Sequence, residues 1–134
     1  MMQQQETELY PVGTDVIGMY VGRDSSTGYG LFESGYDLNS SGEYVSGSFA
    51  KPANDAYIPI DPEYTYTKNG CRLYIIAFYD FQKQFISRIT PSPQLYNNLT
   101  VKDITDIPQN AKYLRFTAYS TAGSNWKLAI TRTA

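Results

Sequence analysis

The residues best suited to contacting a ligand lie in the segment 112–119, which reads KYLRFTAY. Successive side chains of a strand point to opposite faces, so Tyr113, Arg115, Thr117 and Tyr119 would share one face. A guanidinium would then lie between two tyrosines, each with an apolar ring and a polar hydroxyl. This spacing indicates a shallow polar groove along one face of a strand.

The strands that position this groove can be predicted from the same alternation. Leu114, Phe116 and Ala118 fall on the opposite face and are predicted to lie in the core. The segment 72–80 is apolar on both faces, which is typical of a central strand. Its Tyr74 is a possible neighbour of the groove.

Most other aromatic residues have simpler structural interpretations, although the chain has 13 tyrosines. Trp126 alternates with Leu128 and Ile130, which favours core packing over contact with a ligand. Tyr79 is predicted to be buried, and Asp80 to fix the turn that follows it. Three phenylalanines are expected to fill the core or staple a hairpin: Phe78, Phe81 and Phe85.

Residue types exclude most catalytic chemistry. The chain has no histidine and one cysteine, Cys71, so Ser–His and Cys–His nucleophiles and the usual zinc sites are absent. Acidic residues mostly flank turns, and their spacing matches neither a calcium loop nor a recognisable glycosidase pair. No glycine-rich phosphate loop occurs. We therefore expect a protein that is not an enzyme and needs no metal or cofactor.

Charge and hydropathy limit the classes of partner. The formal net charge is −2, without long runs of one sign, which argues against nucleic acid and anionic membranes. No apolar stretch is long enough to span a membrane, and the start MMQQQETELYPVG lacks the pattern of a signal peptide. We expect a chain made in the cytoplasm, with no membrane insertion.

Short β-branched and aromatic runs between turn clusters predict an all-β fold. We predict helix only as a turn near 106–110. Residues 1–30 are interpreted as an N-terminal arm with an edge strand, and residues 31–134 as one β domain. The candidate strands lie at 16–21, 28–33, 43–49, 56–60, 64–67, 72–80, 84–90, 98–103, 112–120 and 125–132.

Four segments, in order, resemble domains of bacteriophage tail and baseplate proteins. They are a glycine–tyrosine start (GYDLNSSGEYV), a centre (DAYIPIDPEYTYT), a hairpin (FYDFQKQFIS) and a strand (IPQNAKYLRFTAY), spread over roughly residues 35–132. The sequence departs from that pattern at 62–64, where PEY replaces the usual proline–glycine turn.

The resemblance implies a jelly-roll β-sandwich of about eight strands, similar to carbohydrate-binding modules. It implies binding of a host cell-wall or capsular saccharide by a tail, baseplate or fibre protein on the virion exterior. It also implies a homo-oligomer, most plausibly a trimer, in contact with other virion proteins. Sugar rings pack on aromatic faces and hydrogen-bond to polar side chains, so the expected contacts are Tyr113, Arg115, Tyr119 and Tyr74.

Two other interpretations stay open. The chain could be a purely structural virion protein, such as a head-decoration or tail assembly component, because a fold does not determine a function. It could also be a domain of a bacterial surface protein, which would normally carry a secretion signal. If Arg115 is exposed on a groove, Arg115→Ala should weaken binding and spare the fold. Leu114→Ala should instead cost about 2–5 kcal/mol of stability.

Overall fold

The computed structural model describes residues 9–26, 30–70, 72–90, 102–104, 107–118 and 128–134. Within these ranges the chain forms one short helix and nine strands. The elements are α1 (Val16–Tyr20), β1 (Phe32–Leu38), β2 (Tyr44–Pro52), β3 (Ile58–Pro59), β4 (Tyr66–Asn69), β5 (Leu73–Tyr79), β6 (Phe85–Ile89), β7 (Lys102–Ile104), β8 (Tyr113–Ala118) and β9 (Ala129–Arg132).

The described strands form two antiparallel sheets, which confirms the all-β prediction. The larger sheet has the order β1-β2-β8-β5-β6, with β3 paired to β8, and the smaller has the order β7-β4-β9. Strand β5 lies between β8 and β6, as its two apolar faces predicted. The jelly-roll connection pattern stays a prediction.

The main core lies between the two sheets. The larger sheet contributes Phe78, Leu114 and Phe116, and the smaller sheet contributes Tyr66 and Ile130. All five side chains are fully buried. We call this face of the larger sheet the inner face, and the face that points away from the smaller sheet the outer face.

The segment 16–21 was predicted to be a strand, and this is wrong for most of its length. Val16–Tyr20 is an α-helix whose first turn is capped by the carboxylate of Asp15, which accepts from the Ile17 amide at 3.0 Å. Aspartate at this position satisfies an amide that the helix itself cannot pair. Val16 and Ile17 are buried in the main core. The β-branched composition of VIGMYV therefore misled the prediction, because capping and burial override a weak propensity.

The predicted turn of helix near 106–110 is also not observed in the described part of that segment. Residues 107–110 lead into a turn closed by a hydrogen bond from the Ala111 amide to the Pro108 carbonyl, at 3.0 Å. The described residues contain no helix that is long and apolar enough to span a membrane.

The β1–β2 hairpin bends across the outer face. Its register shifts at Tyr36, and Gly47 packs so closely against Asp37 that a Cβ at Gly47 would overlap it. Beyond this bulge the tip of the hairpin, residues 38–43, reaches β6 on the far side of the sheet. There Arg88 donates to the Leu38 carbonyl at 2.7 Å. The outer face is thus covered by a hairpin that begins at the opposite edge of the same sheet.

Candidate functional site

Strand β8 has the predicted alternation. Leu114, Phe116 and Ala118 point inward and are fully buried, which confirms their assignment to the core. Arg115 and Tyr113 lie on the outer face, opposite Ala77 and Tyr79 of β5. The alternation of inward and outward side chains that the sequence predicted for β8 is therefore correct.

Arg115 is not exposed, and this corrects the sequence-based expectation. Only 8% of its surface is accessible, because the hairpin tip covers it. Its Nη2 donates to the Gly42 carbonyl at 2.8 Å, and its Nε donates to the Tyr79 hydroxyl at 3.2 Å. The guanidinium carbon lies 4.1 Å from the centre of the Tyr57 ring and 4.7 Å from that of Tyr44. Arg115 is a buried cation inside a tyrosine cluster, and Arg115→Ala is no longer expected to spare the fold.

Tyr44 joins the hairpin to β8 through its side chain. Its hydroxyl donates to the Phe116 carbonyl at 2.7 Å and accepts from the Phe116 amide at 3.2 Å. Within the described residues, backbone pairing between β2 and β8 is limited to Ala50 with Ala118. A hydroxyl can donate and accept at the same time, so Tyr44 replaces the missing part of the ladder.

Burial determines the protonation of the outer-face tyrosines. It raises the pKa of the hydroxyls of Tyr44 and Tyr79, because the phenolate is poorly solvated there. The charge of Arg115 acts in the opposite direction but does not overcome burial. Both hydroxyls are therefore protonated at neutral pH. Tyr79 donates to the Gly42 carbonyl at 2.6 Å, and its predicted burial is confirmed.

Among the described residues, the predicted ligand contact Tyr74 is not one of the rings around Arg115. Tyr74 is half-buried and stacks on Phe49, with ring centres 3.9 Å apart. It reaches the outer side because the β5–β8 register shifts between Leu73 and Ile75. Tyr119 and Trp126 lie outside the described residues.

A surface pocket of 440 Å³ lies at the start of β8 and includes Tyr113. Sites for small ligands commonly have volumes of about 300–1,000 Å³. Phe81 provides a second aromatic wall and is 71% exposed. The sequence-based expectation that Phe81 fills the core or staples the hairpin is wrong. The full lining is Leu9, Pro59, Ile60, Asp61, Phe81, Lys112 and Tyr113.

The polar groups of the pocket are available to a ligand. Among the described residues, neither the Lys112 ammonium nor the Tyr113 hydroxyl has a hydrogen-bond partner in the structure. One carboxylate oxygen of Asp61 accepts from the Glu63 amide at 2.9 Å. Two aromatic residues, Phe81 and Tyr113, and two charged residues, Asp61 and Lys112, thus line one depression.

Sequence reasoning found Tyr113 but missed Phe81, Asp61 and Lys112. Acidic residues were assigned to turns as a group, with no separate role for Asp61, and Lys112 was only the start of a predicted strand. One signal was available: a phenylalanine inside the polar turn DFQK is unusual for a position that should face solvent. The chain distance between residues 61, 81 and 112 hid their proximity.

Comparison with known proteins does not identify a function for this pocket. No protein-family model matches the chain, and no curated protein or solved structure shows significant similarity to it. Within the described residues, no three His, Cys, Asp or Glu side chains are grouped as metal ligands would be. The function must be argued from the pocket.

Proposed function

We propose that this protein binds a saccharide without catalysis, through the pocket between Phe81 and Tyr113. The observation that carries the proposal is the exposure of the Phe81 ring beside Tyr113, with Asp61 and Lys112 at the same depression. Single exposed apolar side chains are common on proteins, but an exposed ring that adjoins a second aromatic residue in one depression is typical of an interaction site.

The chemistry of the pocket suits a sugar. The C–H face of a pyranose can pack on an aromatic ring, while its hydroxyls exchange hydrogen bonds with charged and polar groups. Lys112 can donate, Asp61 can accept, and the Tyr113 hydroxyl can do both. Glycoside hydrolysis needs a pair of carboxylates, and Asp61 is the one acidic residue among the described residues that line the pocket, which supports binding rather than hydrolysis.

The biological setting of the proposal is a bacteriophage tail, baseplate or fibre that recognises the host surface. It is supported by the resemblance over residues 35–132. The segments FYDFQKQFIS and IPQNAKYLRFTAY, which carry two of the four landmarks, also contribute Phe81, Lys112 and Tyr113 to the pocket.

The decisive experiment compares Phe81→Ala with Met19→Ala on an array of purified bacterial surface polysaccharides. Both residues are more than half exposed, so both variants should melt close to the parent protein. Loss of a stacking ring should weaken binding about tenfold, or about 1.4 kcal/mol, in Phe81→Ala alone. Absence of binding by the parent, or unchanged binding by Phe81→Ala, would disprove the proposal.

The proposal includes a homotrimer, as the resemblance implies, and the oligomer tests the structural alternative. We expect light scattering at micromolar concentrations to give the same trimer mass for the parent and for Phe81→Ala. If Phe81→Ala is monomeric, the ring belongs to a subunit contact and the chain is better explained as a structural virion component. A monomeric parent would refute the trimer.

A further inference from the structure

The backbone of Lys83 adopts a conformation that lysine disfavours. The turn after β5 is closed by hydrogen bonds from the Lys83 amide to the Asp80 carbonyl and from the Asp80 amide to the Gln84 carbonyl, both at 2.9 Å. Lys83 has a φ of 62°, in the left-handed region that glycine and asparagine occupy most easily. A glycine would satisfy the backbone better, so the turn itself does not explain the lysine.

The side chain of Lys83 lies against Tyr113, one of the residues that line the proposed site. Its ammonium lies 5.4 Å from the centre of the Tyr113 ring and 5.2 Å from that of Tyr57. Lys83 follows Phe81 by two residues, and Tyr113 and Phe81 both line the pocket. The ammonium is therefore held beside the pocket by contacts with aromatic faces.

Lys83 and Lys112 differ from the paired cations of the molecule. Lys51 is buried against the carboxylates of Glu33 and Asp55. In the part of the chain that the structure describes, neither Lys83 nor Lys112 forms a salt bridge. Among the described residues, two lysines without a carboxylate partner are thus associated with the pocket: Lys112 lines it, and the Lys83 ammonium lies against the ring of Tyr113.

The acidic groups nearby are engaged with the backbone. Asp80 accepts from the amides of Gln82 and Gln84, at 2.8 and 3.0 Å, and so closes the turn. Asp61 accepts from the Glu63 amide. The Lys83 ammonium lies over the rings of Tyr57 and Tyr113 and not against the carboxylate of Asp80, which is three residues earlier in the chain.

We propose that the saccharide bound at this pocket is anionic, with a carboxylate or phosphate group held by Lys83 and Lys112. This inference rests on the proposed function and deepens it. Asp61 and the Tyr113 hydroxyl then serve the neutral hydroxyls of the same ligand. The net charge of −2 for the whole chain does not oppose the inference, because screening restricts exposed charges to a range of about 10 Å.

The first test uses the array of purified bacterial polysaccharides, grouped into neutral, uronate-containing and phosphate-containing members. We expect the bound members to belong to the two anionic groups. Exclusive or equally strong binding of neutral members would overturn the inference and leave the proposed function standing. Absence of any binding would overturn both.

The second test identifies the charged group on the bound polysaccharide. Carboxyl reduction removes the charge of uronates, and treatment with hydrogen fluoride removes phosphates. We expect one treatment to weaken binding at least about tenfold, and that treatment names the group. Binding that survives both treatments would show that the charge is not recognised.

The third test uses Lys83→Gly, with Lys83→Arg and Gln82→Ala as controls. Lys83→Gly should leave the melting temperature unchanged or raise it, because the strained residue is replaced. It should weaken binding of the anionic polysaccharide about threefold to tenfold, as expected for one exposed charge. Lys83→Arg should retain most of the binding, and Gln82→Ala all of it. Full binding by Lys83→Gly would refute the role of Lys83.

Discussion

The two faces of the larger sheet are both buried, but by different means. The inner face meets the second sheet and is filled by aliphatic and phenylalanine side chains such as Phe78 and Leu114. The outer face meets a bent hairpin and is filled by tyrosines around Arg115. Apolar packing stabilises the first, whereas the second depends on hydrogen bonds that join tyrosine tips and a guanidinium to backbone carbonyls. A second sheet covers the inner face with side chains, because its backbone groups are already paired with each other. A hairpin tip has unpaired backbone carbonyls, and these need hydrogen-bond partners on the face that it covers.

Alkali should have the largest effect, because it acts on both faces. Burial raises the pKa of Tyr66, on the inner side, to about 12, and raises the pKa of Tyr44 and Tyr79 on the outer side. The unfolded chain loses these protons near pH 10, before the folded chain does, so stability is complete below pH 10 and falls as the pH rises.

Absorbance of tyrosinate and circular dichroism, followed together in a pH titration, would test this prediction. Part of the tyrosine signal should appear only as the fold is lost. Tyr66→Phe and Tyr44→Phe should each reduce the loss of stability above pH 10. Ionisation of every tyrosine at pH 10 without unfolding would contradict the description of both faces.

Leu114→Ala tests the inner face by removing atoms from a fully buried side chain. The cavity left between the sheets should cost about 2–5 kcal/mol. Urea denaturation would measure the loss, and Val45→Ala, at an exposed position of β2, is the control. A cost below about 1 kcal/mol would mean that the inner face is not the main core.

Arg115→Ala tests the outer face and should cost about 2–3 kcal/mol. The variant loses a charged hydrogen bond to Gly42 and contacts with the rings of Tyr44, Tyr57 and Tyr79. Arg88→Ala is the matched control, since this exposed arginine also donates to a hairpin carbonyl. If urea denaturation shows a larger loss of stability for Arg88→Ala than for Arg115→Ala, the description of the outer face is wrong.

Removal of single tyrosine hydroxyls should have the smallest effects of the series, about 1–2 kcal/mol for Tyr44→Phe. Tyr44→Phe leaves the amide and carbonyl of Phe116 without the hydroxyl that pairs them, and unpaired buried polar groups are costly. Tyr79→Phe should cost less, because the Gly42 carbonyl keeps its bond from Arg115. Faster amide exchange at Phe116 in Tyr44→Phe alone would identify the cause, and equal costs for the two variants would argue against it.

Local pattern was sufficient for the all-β class and for the faces of β8. The alternation of Leu114, Arg115 and Phe116 predicted which side chains meet the second sheet, because strand geometry depends on neighbouring residues. The same reasoning failed for Arg115 exposure and for α1. In both cases distant residues decide: the hairpin tip at Gly42 covers Arg115, and Asp15 caps α1 while it also accepts from the Ile130 amide at 3.2 Å.

The candidate site divides in the same way. Tyr113 was found because it shares a strand face with Arg115, but the structure directs the two side chains to different roles. Tyr113 lines the pocket and Arg115 holds the hairpin. The proposed contacts Phe81 and Lys83 could not be found from the sequence, because a turn sequence does not reveal which surface the turn borders.

The sequence by itself determined the all-β class, the inner-face residues of β8 and the lack of histidine chemistry. These follow from composition and from a period of two residues, which act over a few positions. Only the tertiary structure decided that the outer face is closed and that the open aromatic surface lies between Phe81 and Tyr113. Whether a polar face meets water or another segment depends on where the chain folds back, and here a bulge near Tyr36 turns the hairpin over Arg115.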